Sequence, residues 1–266
     1  MYIGVTSLAA RSQIKSIDLN RMIERTQLFE RIKSGIDTTG YFLMIVAGKV
    51  LPRFAYTIGG KGVFGSEVIL AGAELYSRND VANIFHHVFK ELKEGVAWRD
   101  VSISIDTLGS FSRAPVEQSS CKLLALGAFS YYNEEEIEAF QILPDKNHRT
   151  LDVPDLSSEF STEAHPIWQF LTRECYYRVP DSSMAITNLD VLFGIKATEA
   201  MRWEENEWEI FAGAGPDVPK EDLRIVPLAV LIGIDPSLKS LLELTVGTGL
   251  WRDDVELVWN KWESAK

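Results

Sequence analysis

The side chains of this sequence that could hold a metal or attack a substrate lack the spacing that such chemistry needs. His86 and His87 are adjacent in a predicted helix, so their side chains point about 100° apart and cannot bind one ion together. No two histidines have the i,i+4 spacing of a zinc-binding helix, and neither Cys121 nor Cys175 has a C-x-x-C partner. The sequence therefore predicts no metal site and no cofactor, and we expect both cysteines to be buried free thiols.

A catalytic serine would need the sharp G-x-S-x-G turn that exposes its hydroxyl above a sheet. The nearest match is Gly109-Ser110-Phe111-Ser112, which lacks the second glycine and is predicted to be a loop. No other nucleophile and base are placed together by their spacing. We therefore predict that the protein is not an enzyme.

The glycine-rich loop Gly59-Gly60-Lys61-Gly62-Val63-Phe64-Gly65-Ser66 is the best candidate for a small-molecule site. Glycines allow backbone N–H groups to approach an anion, and the lysine would neutralise it. However, the loop lacks the P-loop order of residues and precedes a predicted strand, so a plain hairpin turn is the favoured alternative. A ligand site here would require six residues to converge: Tyr56, Thr57, Gly59, Lys61, Asp145 and His148.

Acidic and large aromatic residues alternate in a second candidate site, which consists of Trp203, Glu204, Glu205, Glu207, Trp208 and Glu209. Tryptophan is enriched in binding hot spots, and acids around it attract Arg or Lys of a partner. The alternative is that both indoles point into the core and that the glutamates are solvated residues of a hairpin. Similar chemistry recurs towards the C-terminus, where we predict Asp253 and Asp254 as secondary contacts.

The negative charge of the 266-residue chain is concentrated in its second part. Residues 161–266 hold 18 acidic against 10 basic side chains, residues 1–160 hold 20 against 17, and the net charge is -11. Phosphate backbones repel such a protein, so we expect no nucleic-acid binding. No stretch approaches the roughly 20 apolar residues of a membrane span, and the N-terminus does not resemble a secretory signal. We therefore expect a cytoplasmic protein with a basic protein partner.

Helices and strands are predicted to mix without a regular βαβ rhythm, which indicates an α+β fold. In the first part we expect a helix from Asp18 to Ser34 that stops at Gly35, and a second helix from a Ser77/Asp80 capping box to Glu94. Strands are predicted at 41–47, 53–58, 67–71, 101–105, 123–129 and 139–143.

The polar stretch from Pro144 to Pro166 contains three prolines and few large apolar residues. We place a domain boundary there, between domains 1–160 and 161–266, each a mixed or antiparallel sheet packed with a few helices. Beyond the boundary we expect a linking helix at 168–175, strands at 191–197 and 207–211, an apolar run at 225–234, and a helix that begins at Asp235-Pro236.

The first domain resembles the bacterial family called domain of unknown function 4262. The resemblance rests on Phe54-Ala55-Tyr56-Thr57-Ile58-Gly59, on Glu67-Val68-Ile69-Leu70, and on Phe140-Gln141-Ile142-Leu143-Pro144-Asp145-Lys146-Asn147. Ser66 stands where the family usually has a proline. The resemblance covers roughly residues 20 to 160 and implies no activity, since the family has none established.

The second domain loosely resembles immunity proteins of bacterial polymorphic-toxin loci. The similar stretches are Trp208-Glu209-Ile210-Phe211, Arg224-Ile225-Val226-Pro227-Leu228, Asp235-Pro236-Ser237-Leu238 and residues 244–252. This resemblance implies a cytoplasmic protein that covers the active site of a cognate toxin. Two alternatives remain open: an enzyme or ligand-binding protein that uses the glycine-rich loop, and an adaptor that shares the acidic surface but has no toxin.

Overall fold

The computed structural model of the protein describes residues 25–48, 50–96, 98, 102–172, 179, 180 and 182–262. Its helices and two mixed six-stranded sheets confirm the predicted α+β fold. The strands of the first sheet lie between residues 42 and 144, and those of the second lie between residues 184 and 261.

The first sheet combines one parallel strand pair with antiparallel neighbours. Its strands are β1 (Phe42–Gly48), β2 (Leu51–Ile58), β3 (Glu67–Ala71), β4 (Ile103–Ile105), β5 (Gly109–Pro115) and β6 (Ala139–Pro144). They are ordered β1-β2-β3-β6-β5-β4, and only β3 and β6 are parallel. The strand β5 contains Gly109 to Ser112, so the predicted loop there is wrong.

Within the described residues, the helices that accompany this sheet are α1 (25–39), α2 (Gly60–Phe64), α3 (Arg78–Lys93), α4 (Gln118–Leu124) and α5 (Leu126–Tyr132). The predicted start of α1 lies outside the described residues, and the helix continues past Gly35, which packs against the Phe42 ring. The capping box of α3 is confirmed: the Ser77 hydroxyl accepts from the Asp80 N–H at 3.1 Å, and the Asp80 carboxylate accepts from the Ser77 N–H at 2.8 Å.

Helices α4 and α5 occupy the region where a strand was predicted at 123–129, so that prediction is wrong. The buried residues there are Cys121, Leu124, Ala125 and Ala128. Their spacing of three and four residues is helical, and the Glu117 carboxylate caps the start of α4 by accepting from the Ser119 N–H at 2.7 Å.

The second sheet also has one parallel pair. Its strands are β7 (Met184–Asn188), β8 (Glu199–Glu204), β9 (Glu207–Phe211), β10 (Leu223–Pro227), β11 (Thr248–Trp251) and β12 (Asn260–Lys261). They are ordered β10-β7-β9-β8-β11-β12, and only β7 and β9 are parallel.

The helical segments of the second part are short. They are α6 (Leu189–Leu192), α7 (Leu228–Ile234) and the 3₁₀ helices Pro166–Leu171, Gly215–Asp217, Lys220–Asp222 and Pro236–Glu243. Helix α6 replaces the strand predicted at 191–197. The apolar run at 225–234 divides at Pro227 into β10 and α7. Asp235 caps the final 3₁₀ helix as predicted, because its carboxylate accepts from the Ser237 N–H at 3.1 Å.

Apolar packing joins the two parts of the chain. Ile167, Trp168 and Val230 belong to the hydrophobic cluster that covers one face of the first sheet. The polar stretch after β6 packs on the same sheet, where the Gln141 amide donates to the Pro154 carbonyl at 2.8 Å and accepts from the Leu156 N–H at 3.3 Å. The domain boundary near residue 160 stays a prediction.

Candidate functional site: the open face of the second sheet

One face of the second sheet is packed in the core and the other is open. Strand alternation sends Ala185, Trp208 and Ile210 into the core, where they are buried. The residues between them, Ile186 and Glu209, therefore lie on the open face.

The strand register places five residues side by side across the open face. Ile225 pairs with Ile186, Ile186 pairs with Glu209, Glu209 pairs with Met201, and Met201 pairs with Gly249. We call this line of residues the floor row. Four of its five members are apolar or glycine, so the floor row contains a single acid, Glu209, among hydrophobic neighbours.

A groove of about 710 Å³ lies over the floor row. Its charged lining residues are Glu199 and Glu209, and its other lining residues are Ile186, Met201, Trp203, Phe211, Gly215, Pro216, Leu223 and Trp262. Ile225 beside it is 68% exposed, Trp203 is 50% exposed and Trp262 is 42% exposed. Large apolar side chains exposed together are typical of an interaction surface.

The two carboxylates of the groove differ in their partners. Glu199 Oε2 accepts from the Gly215 N–H at 2.9 Å and so fixes the loop that follows β9. Glu209 is half-buried, and no hydrogen bond or ion pair joins its carboxylate to another described residue.

The structure divides the predicted partner-binding segment between two faces. Trp203 and Glu209 line the groove, and Glu204, Glu205 and Glu207 are exposed near it. Trp208, by contrast, is 2% exposed and lies in the core, where the Arg202 guanidinium covers its ring at 4.7 Å from the centroid.

Trp208 therefore follows the alternative interpretation, in which the indole points into the core, and it offers no side-chain surface to a partner. Met201 lies on the open face, so alternation along β8 places Trp203 on that face as well. Trp208 pairs with Arg202 on the other face, so alternation is why the two tryptophans differ in exposure.

Asp253 and Asp254 are exposed at the start of the loop between β11 and β12. The Glu256 and Val255 N–H groups donate to Asp253 and hold the pKa of its carboxyl below the ordinary value. The loop begins beside the groove, because Trp251 pairs with the lining residue Glu199.

A buried arginine anchors this loop. Arg252 Nη2 lies 3.1 Å from Asp235 Oδ2, Nε donates to the Ala197 carbonyl at 2.6 Å, and Nη1 donates to the Ser237 hydroxyl at 2.8 Å. These contacts fix the position of the residue directly before Asp253 and Asp254.

The glycine-rich loop forms helix α2, whose amides are already occupied by a residue of the chain. The carboxylate of Glu67 is buried and accepts from the N–H groups of Gly59, Gly60 and Lys61 at 3.1, 3.2 and 3.0 Å. It also accepts from the Thr57 hydroxyl at 2.5 Å and from the Tyr132 hydroxyl. An internal carboxylate thus takes the position that an anionic ligand would need.

The remaining residues of the predicted ligand site do not form one pocket. The Tyr56 hydroxyl accepts from the Gly127 N–H at 3.0 Å, and burial raises its pKa. Lys61 pairs with Glu134. Asp145 and His148 pair with each other, at 2.9 Å, beyond the other end of the first sheet. Parallel pairing of Glu67 with Ala139 puts the end of β6 away from α2, so Asp145 and His148 do not converge with the loop as a ligand site there would require.

Cys121 is fully buried, and burial raises the pKa of its thiol to about 12, with the Glu67 and Glu117 carboxylates acting in the same direction. It is therefore a poor nucleophile. Cys175 lies outside the described residues. Within the described part of the chain, no group of three or more His, Cys, Asp and Glu could hold a metal ion, and no helix could span a membrane.

Sequence reasoning missed most of the groove because it did not predict β7 and β8. The signal that could have predicted these strands is the alternation of larger and smaller side chains in Met184-Ala185-Ile186-Thr187 and in Glu199-Ala200-Met201. Comparisons of this chain with family models, curated proteins and solved structures give no match.

Proposed function

We propose that this protein binds a basic protein partner through the open face of the second sheet. The observation that carries the proposal is the groove itself, whose charged lining residues are both glutamates and whose tryptophans Trp203 and Trp262 are uncovered. Exposed indoles supply contact area, and carboxylates at the rim attract Arg and Lys.

We further propose that the partner is a bacterial toxin and that this chain is its cytoplasmic immunity protein. The resemblance of residues 161–266 to immunity proteins supports this role. The net charge of -11 supports it as well, because an acidic protein is drawn to the basic cleft of an enzyme that handles phosphates, such as a nuclease.

The small-ligand alternative has less support. Its loop amides bind Glu67, and its other residues lie at two ends of the first sheet. The adaptor alternative uses the same groove and differs only in its partner, so it is separated from the immunity role by experiment.

The test is to express the proteins encoded beside this gene, measure their binding to this chain, and ask whether it restores growth of cells that produce them. We expect one basic product to bind, with association that slows as salt rises. If no flanking product binds or is neutralised, the immunity proposal fails.

A pair of charge variants then locates the surface. Reversal of Glu204, Glu205 and Glu207 to Lys should slow association about tenfold or more and abolish protection. The matched control reverses Glu135, Glu136 and Glu138, which are exposed glutamates of the first part, and changes the net charge equally. Equal slowing by both variants would mean that net charge, and not the groove, governs binding.

A further inference from the structure

Among the described residues, no side chain pairs with the Glu209 carboxylate, which lies in a groove lined mostly by apolar residues. Its neighbours in the floor row are Ile186 and Met201, and no described residue forms an ion pair with it. A partly desolvated charge without a partner is unfavourable, and a bound cation would remove that penalty. The floor of the groove is therefore complementary to one positive group held among apolar atoms.

On the opposite face, the chain already pairs indole rings with a cation. There the chain covers its own indoles with arginines: Arg202 lies 4.7 Å from the Trp208 ring centroid, and Arg252 lies 4.2 Å from the Trp259 ring centroid. The groove tryptophans, Trp203 and Trp262, have no such arginine among the described residues.

Gly249 keeps one of these indoles close to the floor row. A Cβ at this position would lie 2.2 Å from Trp262 Cζ3, so only glycine allows the ring to pack on the β11 backbone. The ring lines the groove alongside Trp203 and Glu209.

We propose that the groove receives an arginine side chain of the partner, an inference that rests on the proposed function. A planar guanidinium stacks on an indole while it donates two hydrogen bonds to one carboxylate, here Glu209. A lysine ammonium is a strongly hydrated point charge and cannot make both contacts with the same geometry.

The test uses three blocked tripeptides as probes: acetyl-Gly-Arg-Gly-amide and its lysine and citrulline counterparts. Their binding to the full chain is followed by the NMR signals of the Trp203 and Trp262 indole N–H groups. We expect the arginine tripeptide to bind about tenfold more tightly than either counterpart. Glu209→Gln should weaken it about tenfold, whereas Glu135→Gln, at an exposed glutamate of the first part, should leave it unchanged.

Equal binding of the arginine and lysine tripeptides would overturn the proposal, as would unchanged binding to Glu209→Gln or the absence of a saturable shift with arginine. If the tripeptides fail while a flanking gene product still binds, the arginine assignment falls and the proposed function stands. If the arginine tripeptide binds as expected and no flanking product does, the groove specificity stands and the toxin partner is wrong.

Discussion

Replacement of Glu67 by glutamine tests whether the glycine-rich loop is held by an internal carboxylate. Glutamine keeps the shape of the side chain, but exchanges one accepting oxygen for an NH₂ group that only donates. In the native protein, Oε1 accepts from Gly59 N and Lys61 N, and Oε2 accepts from Gly60 N and from Thr57. Either orientation of the amide therefore faces at least one backbone donor.

The expected cost follows from these contacts. One buried N–H without an acceptor costs about 1–3 kcal/mol. The bonds that remain lose their ionised acceptor, and charge-assisted bonds are roughly twice as strong as neutral ones. The Thr57 hydroxyl is restricted in how it can turn to accept a hydrogen bond from the new amide group, because it already accepts from the Val68 N–H at 2.9 Å. We expect Glu67→Gln to lower the free energy of unfolding by about 2–4 kcal/mol in total.

Urea unfolding near neutral pH, with the slope and the midpoint both fitted, is the assay. Glu134→Gln is the control, since it removes only the exposed partner of Lys61 and should change the unfolding free energy by less than about 0.5 kcal/mol. A Glu67→Gln variant as stable as the native protein would refute the reasoning. It would return the loop amides to consideration as a ligand site.

Three further outcomes are expected. Trp208→Ala should lose about 3–5 kcal/mol of unfolding free energy, whereas Trp203→Ala should lose less than about 0.5 kcal/mol; equal losses in urea would contradict their placement on opposite faces. Asp235→Ala leaves the buried Arg252 guanidinium without its carboxylate and should cost about 3–5 kcal/mol; a loss below about 1 kcal/mol in the same assay would show that the pair contributes little. Burial raises the pKa of the Asp152 carboxyl, so the contribution of this group to native stability is greatest below the ordinary carboxyl pKa and is lost as the pH rises through the raised value. Asp152→Asn removes that dependence, and its stability relative to the native protein should increase from about pH 4 to neutral pH; a constant difference in urea unfolding at several pH values would argue against it.

Local signals in the sequence predicted several elements correctly. The apolar runs of β1, β2, β3 and β6 and the capping box of α3 are properties of contiguous residues, and the structure has them close to the predicted positions. The strand predicted at 123–129 is wrong because the buried residues Cys121, Leu124, Ala125 and Ala128 recur at the three- and four-residue spacing of a helix, whereas a run of apolar residues occurs in helices and strands alike.

The groove could be predicted only in part, because it depends on strand pairing at a distance. The acids and Trp203 were visible as a cluster in the sequence. Their alignment with Ile186, Ile225 and Gly249 is fixed by register across three other strands, and no local pattern encodes it.

The apolar seam between the two parts of the chain limits how such a protein can diversify. Gly233 in α7 lies against the Ile167 backbone, where a Cβ would approach its Cα to 2.6 Å, and Val230 of the same helix completes the cluster on the first sheet. A recombination event that replaced the second part of this chain with one from another gene would also have to preserve these packing contacts with the first sheet. Point substitutions on the open face meet no such restriction, since residues such as Ile225 support no core packing. New binding specificities would therefore arise more readily by mutating the groove lining than by exchanging halves between genes.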